Sequence, residues 1–273
     1  MTAGPQHDAH PKSEVSGIGM IITRSAIIAA LLFAAGGAAA AELKVMVTGS
    51  MAAPLKAIAE DFARKNGHTA AVTAGITTTV TATLKAGEQA DLVEVTTVGM
   101  DQLAQEKLVR PESRREIARA LIGLAVREGA AVPDISTPEA VKRALLGARS
   151  ITYVNPRFAG QVGTNMMTFL DRAGVRDDVA KKAALAFTGE EAVQKVAKGE
   201  ADIVIAFVSE ILPVRGVKWL GPLPANLQVP TNYSAAIGTG SAHPDAARAL
   251  LDVITSPDGS RIIAEAGLEP VAR

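Results

Sequence analysis

The 273 residues include no cysteine, which removes disulfides, thiolate metal sites and cysteine nucleophiles together. Histidine is nearly as scarce. Of four in the chain, only His68 and His243 lie beyond residue 41, far apart, so a histidine metal cluster is not expected. Neither sign of charge is in excess, with 28 basic against 28 acidic residues. That balance gives no support to nucleic-acid or polybasic membrane binding. The chain also lacks a G-x-S-x-G elbow and places no His near a plausible Ser nucleophile. Its acidic residues read mostly as helix-face charges, with no evident acid–base pair, so a secreted enzyme is the reading set aside. The scarce aromatics Trp219 and Tyr233 are read as core.

An apolar stretch near the N-terminus sets the compartment. Residues 25–41 read SAIIAALLFAAGGAAAA, preceded by Arg24 and ending in small residues. A positive flank, a short apolar core and an A-x-A end are the order of a secretory signal. A membrane span needs about 20 strongly apolar residues, and this run is largely Ala and Gly. Residues 1–19 are polar, unlike a leader's first segment, so translation is expected to start at Met20. A mature chain is expected from about Glu42. The leader together with the absence of a DNA-binding helix pair sets aside a transcription regulator.

Beyond the leader, short apolar runs alternate with amphipathic helices, the rhythm of βαβ units. Leu43–Thr48, Thr69–Gly75 and Ala90–Thr96 are strand candidates, although Glu94 interrupts the last. Leu55, Ile58, Ala59 and Phe62 fall at helical spacing, with Gly67 placed to end their helix. Ser136-Thr137-Pro138-Glu139 is a helix start. Ser150–Val154 and 201–207 are further strands, 163–173 and 189–198 further helices. A strand near 233–239 precedes helices at 244–255 and 257–266. The segments LKAGEQADLVEV (84–95) and VAKGEADIVIAF (196–207) share one order, a helix end leading through Gly, Glu and Ala-Asp into an apolar strand. This predicts two lobes of similar design: 42–117 as the first part of lobe one, 118–227 as lobe two, and 228–273 returning to lobe one.

Three predicted strand-to-helix junctions carry small polar residues: Thr48-Gly49-Ser50-Met51, Gly75-Ile76-Thr77-Thr78-Thr79 and Gly160-Gln161-Val162-Gly163-Thr164. A helix start offers unpaired N–H groups and the positive end of a dipole, so it holds an anion without a full counter-charge. One such junction is an ordinary N-cap. Three of them at strand carboxyl ends favour convergence on one cleft. Arg157 reads either as a solvated loop residue or as a two-bonded clamp for a carboxylate, and Asp91 and Asp202 as backbone braces.

The segments VTGSMAAPLKAIAEDFARKNG, AGITTTVTATLKAGEQADLVEVTTVGMDQL, GEADIVIAFVSEILPVRGVKWLGPLP and SPDGSRIIAEAGLEP together resemble periplasmic molybdate-binding proteins of the type II solute-binding fold. The resemblance implies an α/β, two-lobed protein, each lobe a mixed sheet flanked by helices. It implies a monomer without cofactor or resident metal that takes molybdate or tungstate as an oxyanion between its lobes and passes it to an inner-membrane ABC permease with its ATPase. The alternative ligand is a small organic acid or another anion. In that family hydroxyls and backbone N–H groups hold the oxyanion. The resemblance carries these roles to Ser50, to Thr77 in place of a second serine, and to the backbone at Val162 and Gly189. At Phe207 the family commonly has a tyrosine whose hydroxyl reaches the ligand, and phenylalanine has none. Phe207 is therefore expected either to pack at the strand end or to mark a different ligand.

Overall fold

The computed structural model describes residues 40–271; the expected leader lies outside them. Two mixed sheets organise the chain. The first contains β1 (Glu42–Thr48), β2 (Thr69–Gly75), β3 (Leu92–Thr96), β4 (Arg115–Ala120), β10 (Thr231–Ile237) and β11 (Leu268–Pro270). Their spatial order is β11-β4-β10-β3-β1-β2. The second has the order β7-β6-β8-β5-β9, from β5 (Ile122–Arg127), β6 (Ile151–Val154), β7 (Ala183–Ala186), β8 (Ile203–Phe207) and β9 (Val217–Trp219).

The two similar segments of sequence occupy similar places. β3 pairs parallel with β1 and antiparallel with β10. β8 pairs parallel with β6 and antiparallel with β5. Every residue of β3 and β8 is buried, as strands covered on both faces should be. The difference is Glu94, which puts a carboxyl into the interior of β3.

Helices follow the first strands of each sheet. The α1 helix (Gly49–Asn66) buries Met51, Leu55, Ile58, Ala59 and Phe62 on one face. It ends at Gly67, whose φ of 71° allows the left-handed cap. The α2 helix (Thr77–Lys85) follows β2, and α3 (Thr97–Gln105) follows β3, with Thr96 as a cap accepting from the Gly99 N–H. In the second lobe α4 (Pro138–Gly147) is capped by Thr137, α5 (Gly160–Arg172) follows β6, and α6 (Arg176–Ala180) leads to β7. Then α7 (Gly189–Ala197) precedes β8, and α8 (Val208–Ile211) follows it directly. The last two helices, α9 (Pro244–Ile254) and α10 (Pro257–Glu265), pack against α1.

Strand β4 runs through the boundary expected at 117/118, and the chain passes from the first sheet to the second at Leu121. The return crossing lies between β9 and β10. Gln228 on that crossing brackets the first one: its amide accepts from the Ile122 N–H at 3.2 Å and donates to the Ile122 carbonyl at 2.8 Å. The strand pair β4 and β5 was not legible in the sequence, because REIARA and IGLAVR meet with one residue between them and no turn signal.

Candidate functional site

The carboxyl ends of β1, β2, β6 and β8 point to one place, where a cavity of about 50 Å³ lies between the lobes. At roughly 10–15 Å³ per water, it has room for only a few water-sized groups. Ser50, Thr77, Val162, Gly189 and Phe207 all line it. Helices α1, α2, α5 and α7 begin around it, and none of the lining residues is Lys, Arg or His. Positive potential here comes from helix N-termini rather than from side chains. A larger groove, about 780 Å³, opens at the opposite end of the second sheet. Its arginines are exposed, and one of them, Arg149, is already forked onto Asp202.

The five residues reach the cavity differently. Ser50 is buried in the first turn of α1, its hydroxyl 3.0 Å from the Tyr233 hydroxyl and 3.5 Å from Glu210 Oε1, to which it donates. Thr77 opens α2 and accepts a 3.4 Å bond from the Thr96 N–H. The Val162 N–H is spent on the Ala159 carbonyl at 3.1 Å. The α5 helix begins at Gly160, three residues before the expected start, with φ of 53° at that glycine. Gly189 leaves room for a neighbour: a Cβ on it would stand 2.0 Å from Glu210 Oε2. Phe207 is buried, and its N–H donates to Glu210 Oε2 at 3.1 Å.

Two residues of the wall were read otherwise in the sequence. Tyr233, expected as core, is fully buried and also turns its hydroxyl onto Ser50. Tyr233 thus contributes a phenol to the cavity wall from β10. Glu210, expected as a helix-face charge, lies on the wall three residues beyond Phe207. The residue is half-buried but its carboxyl is enclosed. Burial pushes that carboxyl up to about 7, against the bonds from Phe207 and Ser50 and with Glu190 adding a like charge. The only signal in the sequence was a Glu three residues after an apolar strand, and nothing local separates that from a surface residue.

Asp91 accepts from the Lys44 N–H, the Ser241 hydroxyl and the His243 N–H, so it braces β1 and the loop at 241–243. Arg157 is exposed and does not line the cavity. Among the described residues no group of three or more His, Cys, Asp or Glu side chains is arranged to hold a metal ion, and no helix is long and apolar enough to cross a membrane.

The family profile described as bacterial extracellular solute-binding protein matches residues 43–269. The chain belongs to that family. Among the relatives of this solute-binding protein is a Pseudomonas sp. protein named aconitate isomerase. It is 35% identical over 188 residues, covering 69% of this chain and 70% of its own. Similar solved folds include the periplasmic molybdate-binding protein of Azotobacter vinelandii, with a TM-score of 0.71 and 22% identity over 85% of this chain and 99% of that one. A sulfate-binding protein of Mycobacterium tuberculosis gives a TM-score of 0.70 at 16% identity, covering 85% and 87%. At these identities the two structures show the shared two-lobed α/β fold.

Proposed function

We propose that this solute-binding protein is exported to the periplasm and closes its lobes over a small organic-acid anion, which it presents to an ABC permease and its ATPase. Glu210 carries this reading. A site that only shields a bare oxyanion needs fixed neutral donors, and the resemblance to molybdate-binding proteins predicts such a site. Here a carboxyl that ionises near pH 7 stands on the cavity wall. Two like charges 4 Å apart repel by about 4 kcal/mol at an effective dielectric of 20. The repulsion grows with the charge packed near Glu210, so an ionised Glu210 disfavours the compact dianions molybdate and tungstate most. A protonated Glu210 donates to one carboxylate of an organic acid whose other charges lie further off. An acid of several carbons needs more room than this cavity of about 50 Å³ holds, so the proposed capture includes a parting of the lobes about the two crossings.

A thermal-shift screen tests the ligand, since a ligand bound only by the native form raises the melting point by mass action. Small di- and tricarboxylates, aconitate among them, are expected to stabilise the protein. Stabilisation by molybdate and tungstate alone would return the site to the oxyanion reading. A mature N-terminus near Glu42 in the periplasmic fraction checks export.

The same carboxyl, with the likeness to an aconitate isomerase, favours a second reading in which the captured acid is isomerised. An ionised Glu210 would take a proton from a methylene beside the double bond, the electron pair would spread into the unsaturated carboxylate, and the proton would return at the other end of the allylic unit. No oxidant or co-reactant is required, and a carboxyl poised near the working pH suits both steps. NMR of cis-aconitate in heavy water reads this as formation of the trans isomer with deuterium uptake. The activity should vanish in Glu210→Gln. Absence of both signals in the wild-type protein would leave binding alone.

A further inference from the structure

An acid of several carbons that puts one carboxylate in the interlobe cavity needs a place for the rest of its length. A groove of about 320 Å³ adjoins the cavity. Thr77 lines both spaces. At the start of α5 the lining alternates, with Ala159 and Val162 on the cavity, Gly160 and Gln161 on the groove. Like the cavity, the groove is walled by both lobes. The Thr78 hydroxyl on α2 donates across the lobes to the Phe158 carbonyl at 3.0 Å, and a Cβ on Gly160 would meet Thr78 Cγ2 at 3.5 Å. The two spaces differ in charge. The cavity has Glu210 on its wall and no basic side chain. None of the residues lining the groove is Asp or Glu, and among them Lys85 is the one cation.

We propose that this groove is the distal half of the ligand site, taking the further carboxylates of a di- or tricarboxylic acid whose first carboxylate occupies the cavity, and that Lys85 selects for them. The proposal rests on the reading of the interlobe cavity as an organic-acid site. Size supports the division. A carboxylate is three heavy atoms, about what a cavity with room for a few water-sized groups holds. The remaining carbons and carboxylates then lie past Thr77, in the adjoining space. Charge supports it too. Lys85 stands in the last turn of α2 and pairs with Glu106 at 2.7 Å, the two side chains 45% and 40% exposed. An exposed pair of this kind shifts an equilibrium by no more than about fivefold. A ligand carboxylate therefore takes the place of Glu106 on Lys85 at little cost. The neighbouring hydroxyl and amide donors are engaged, Thr81 on the Thr77 carbonyl at 2.7 Å and Gln161 on Asn165 Oδ1 at 2.7 Å. The charge of Lys85 is what distinguishes the groove from a neutral crevice.

Were Lys85 only a tie between α2 and α3, Lys85→Gln and Glu106→Gln would act alike, and neither would tell a tricarboxylate from a monocarboxylate. Calorimetry with trans-aconitate, and with crotonate as a monocarboxylate competitor, separates the two roles. Lys85→Gln should weaken trans-aconitate about fivefold, and Glu106→Gln should strengthen it by a similar factor. Crotonate affinity should stay within about twofold of the wild type in both, because its one carboxylate remains in the cavity. Both positions are exposed, so the variants should fold. Lys56→Gln, on α1 and outside both spaces, should change neither affinity, which excludes a general effect of net charge. Equal trans-aconitate affinity in the wild type and Lys85→Gln, or an equal loss for crotonate, would overturn the distal half while leaving the cavity as the ligand site. If the wild type binds neither acid, or Ser50→Ala leaves trans-aconitate binding unchanged, the cavity reading falls and the groove with it.

Discussion

At the scale of single residues, the cavity is organised by what Gly189 omits. Its missing side chain is filled by the Glu210 carboxyl, and a Cβ there would stand 2.0 Å from Oε2. Glu210 is the end of a flexible side chain and can rotate away, so Gly189→Ala should fold normally while losing its carboxyl from the cavity. Ligand affinity by calorimetry should fall at least about tenfold, one hydrogen bond to a charged group being worth about 1.5–3 kcal/mol. Unchanged affinity would place Glu210 outside the site. Phe207→Tyr makes the opposite kind of test. Since Tyr233 already brings a phenol to Ser50, a second hydroxyl must find a partner or be desolvated at a cost of about 1–3 kcal/mol. The variant should not bind molybdate more tightly, and a tighter complex would restore the oxyanion reading.

At the scale of elements, the helix starts do the positioning. Thr188 caps α7, its hydroxyl accepting from the Glu191 N–H at 3.1 Å, and so fixes where Gly189 meets the cavity. Thr188→Ala should cost about 1 kcal/mol of stability, read as a lower urea midpoint with an unchanged slope. Affinity should fall with it, because the same turn carries the wall of the site. The α1 helix holds a counter-example to simple propensity. Pro54 sits inside it and has no N–H to give the Ser50 carbonyl one turn back, so the turn that presents Ser50 is released from one helical bond. Strands and helices with clear signals, such as β2 at Thr69–Gly75 and α9 from Pro244, lie where hydrophobic periodicity and capping residues put them. The pieces that periodicity did not reveal are the interior strands β4 and β5 and the short edge elements β7, β9 and β11, of four, three and three residues. Their pairing depends on partners far away in the chain, and a few residues hold too little pattern to announce it.

For the molecule as a whole, the two enclosed carboxyls tie stability to pH. Both have an ordinary value of 4.5, raised in the folded state to about 8 for Glu94 and about 7 for Glu210. The native protein keeps protons that the unfolded chain releases above about pH 4.5, so the unfolded state binds fewer protons and stability declines with rising pH. The contribution is complete below about 4.5 and is lost as pH passes through the folded values. Urea midpoints of the wild type should therefore fall from about pH 5 to about pH 8.5, and Glu94→Gln should flatten that fall. An equal slope in the variant would mean that Glu94 does not hold a proton in the folded state.

The sequence by itself determined the α/β class and the place of most strands and helices. Strand alternation, caps and glycines are local properties, and local chemistry fixes them. It also carried Ser50, Thr77, Val162, Gly189 and Phe207, which the fold brings to one cavity. What only the tertiary structure decided is the character of that cavity. Glu210 and Tyr233 come from α8 and β10 and meet at Ser50, while Glu94 on β3 is held by Thr48 beside them. A glutamate's charge state depends on how much water and which neighbours surround it. Residues 94 and 210 acquire that environment only when segments more than a hundred residues apart close around them.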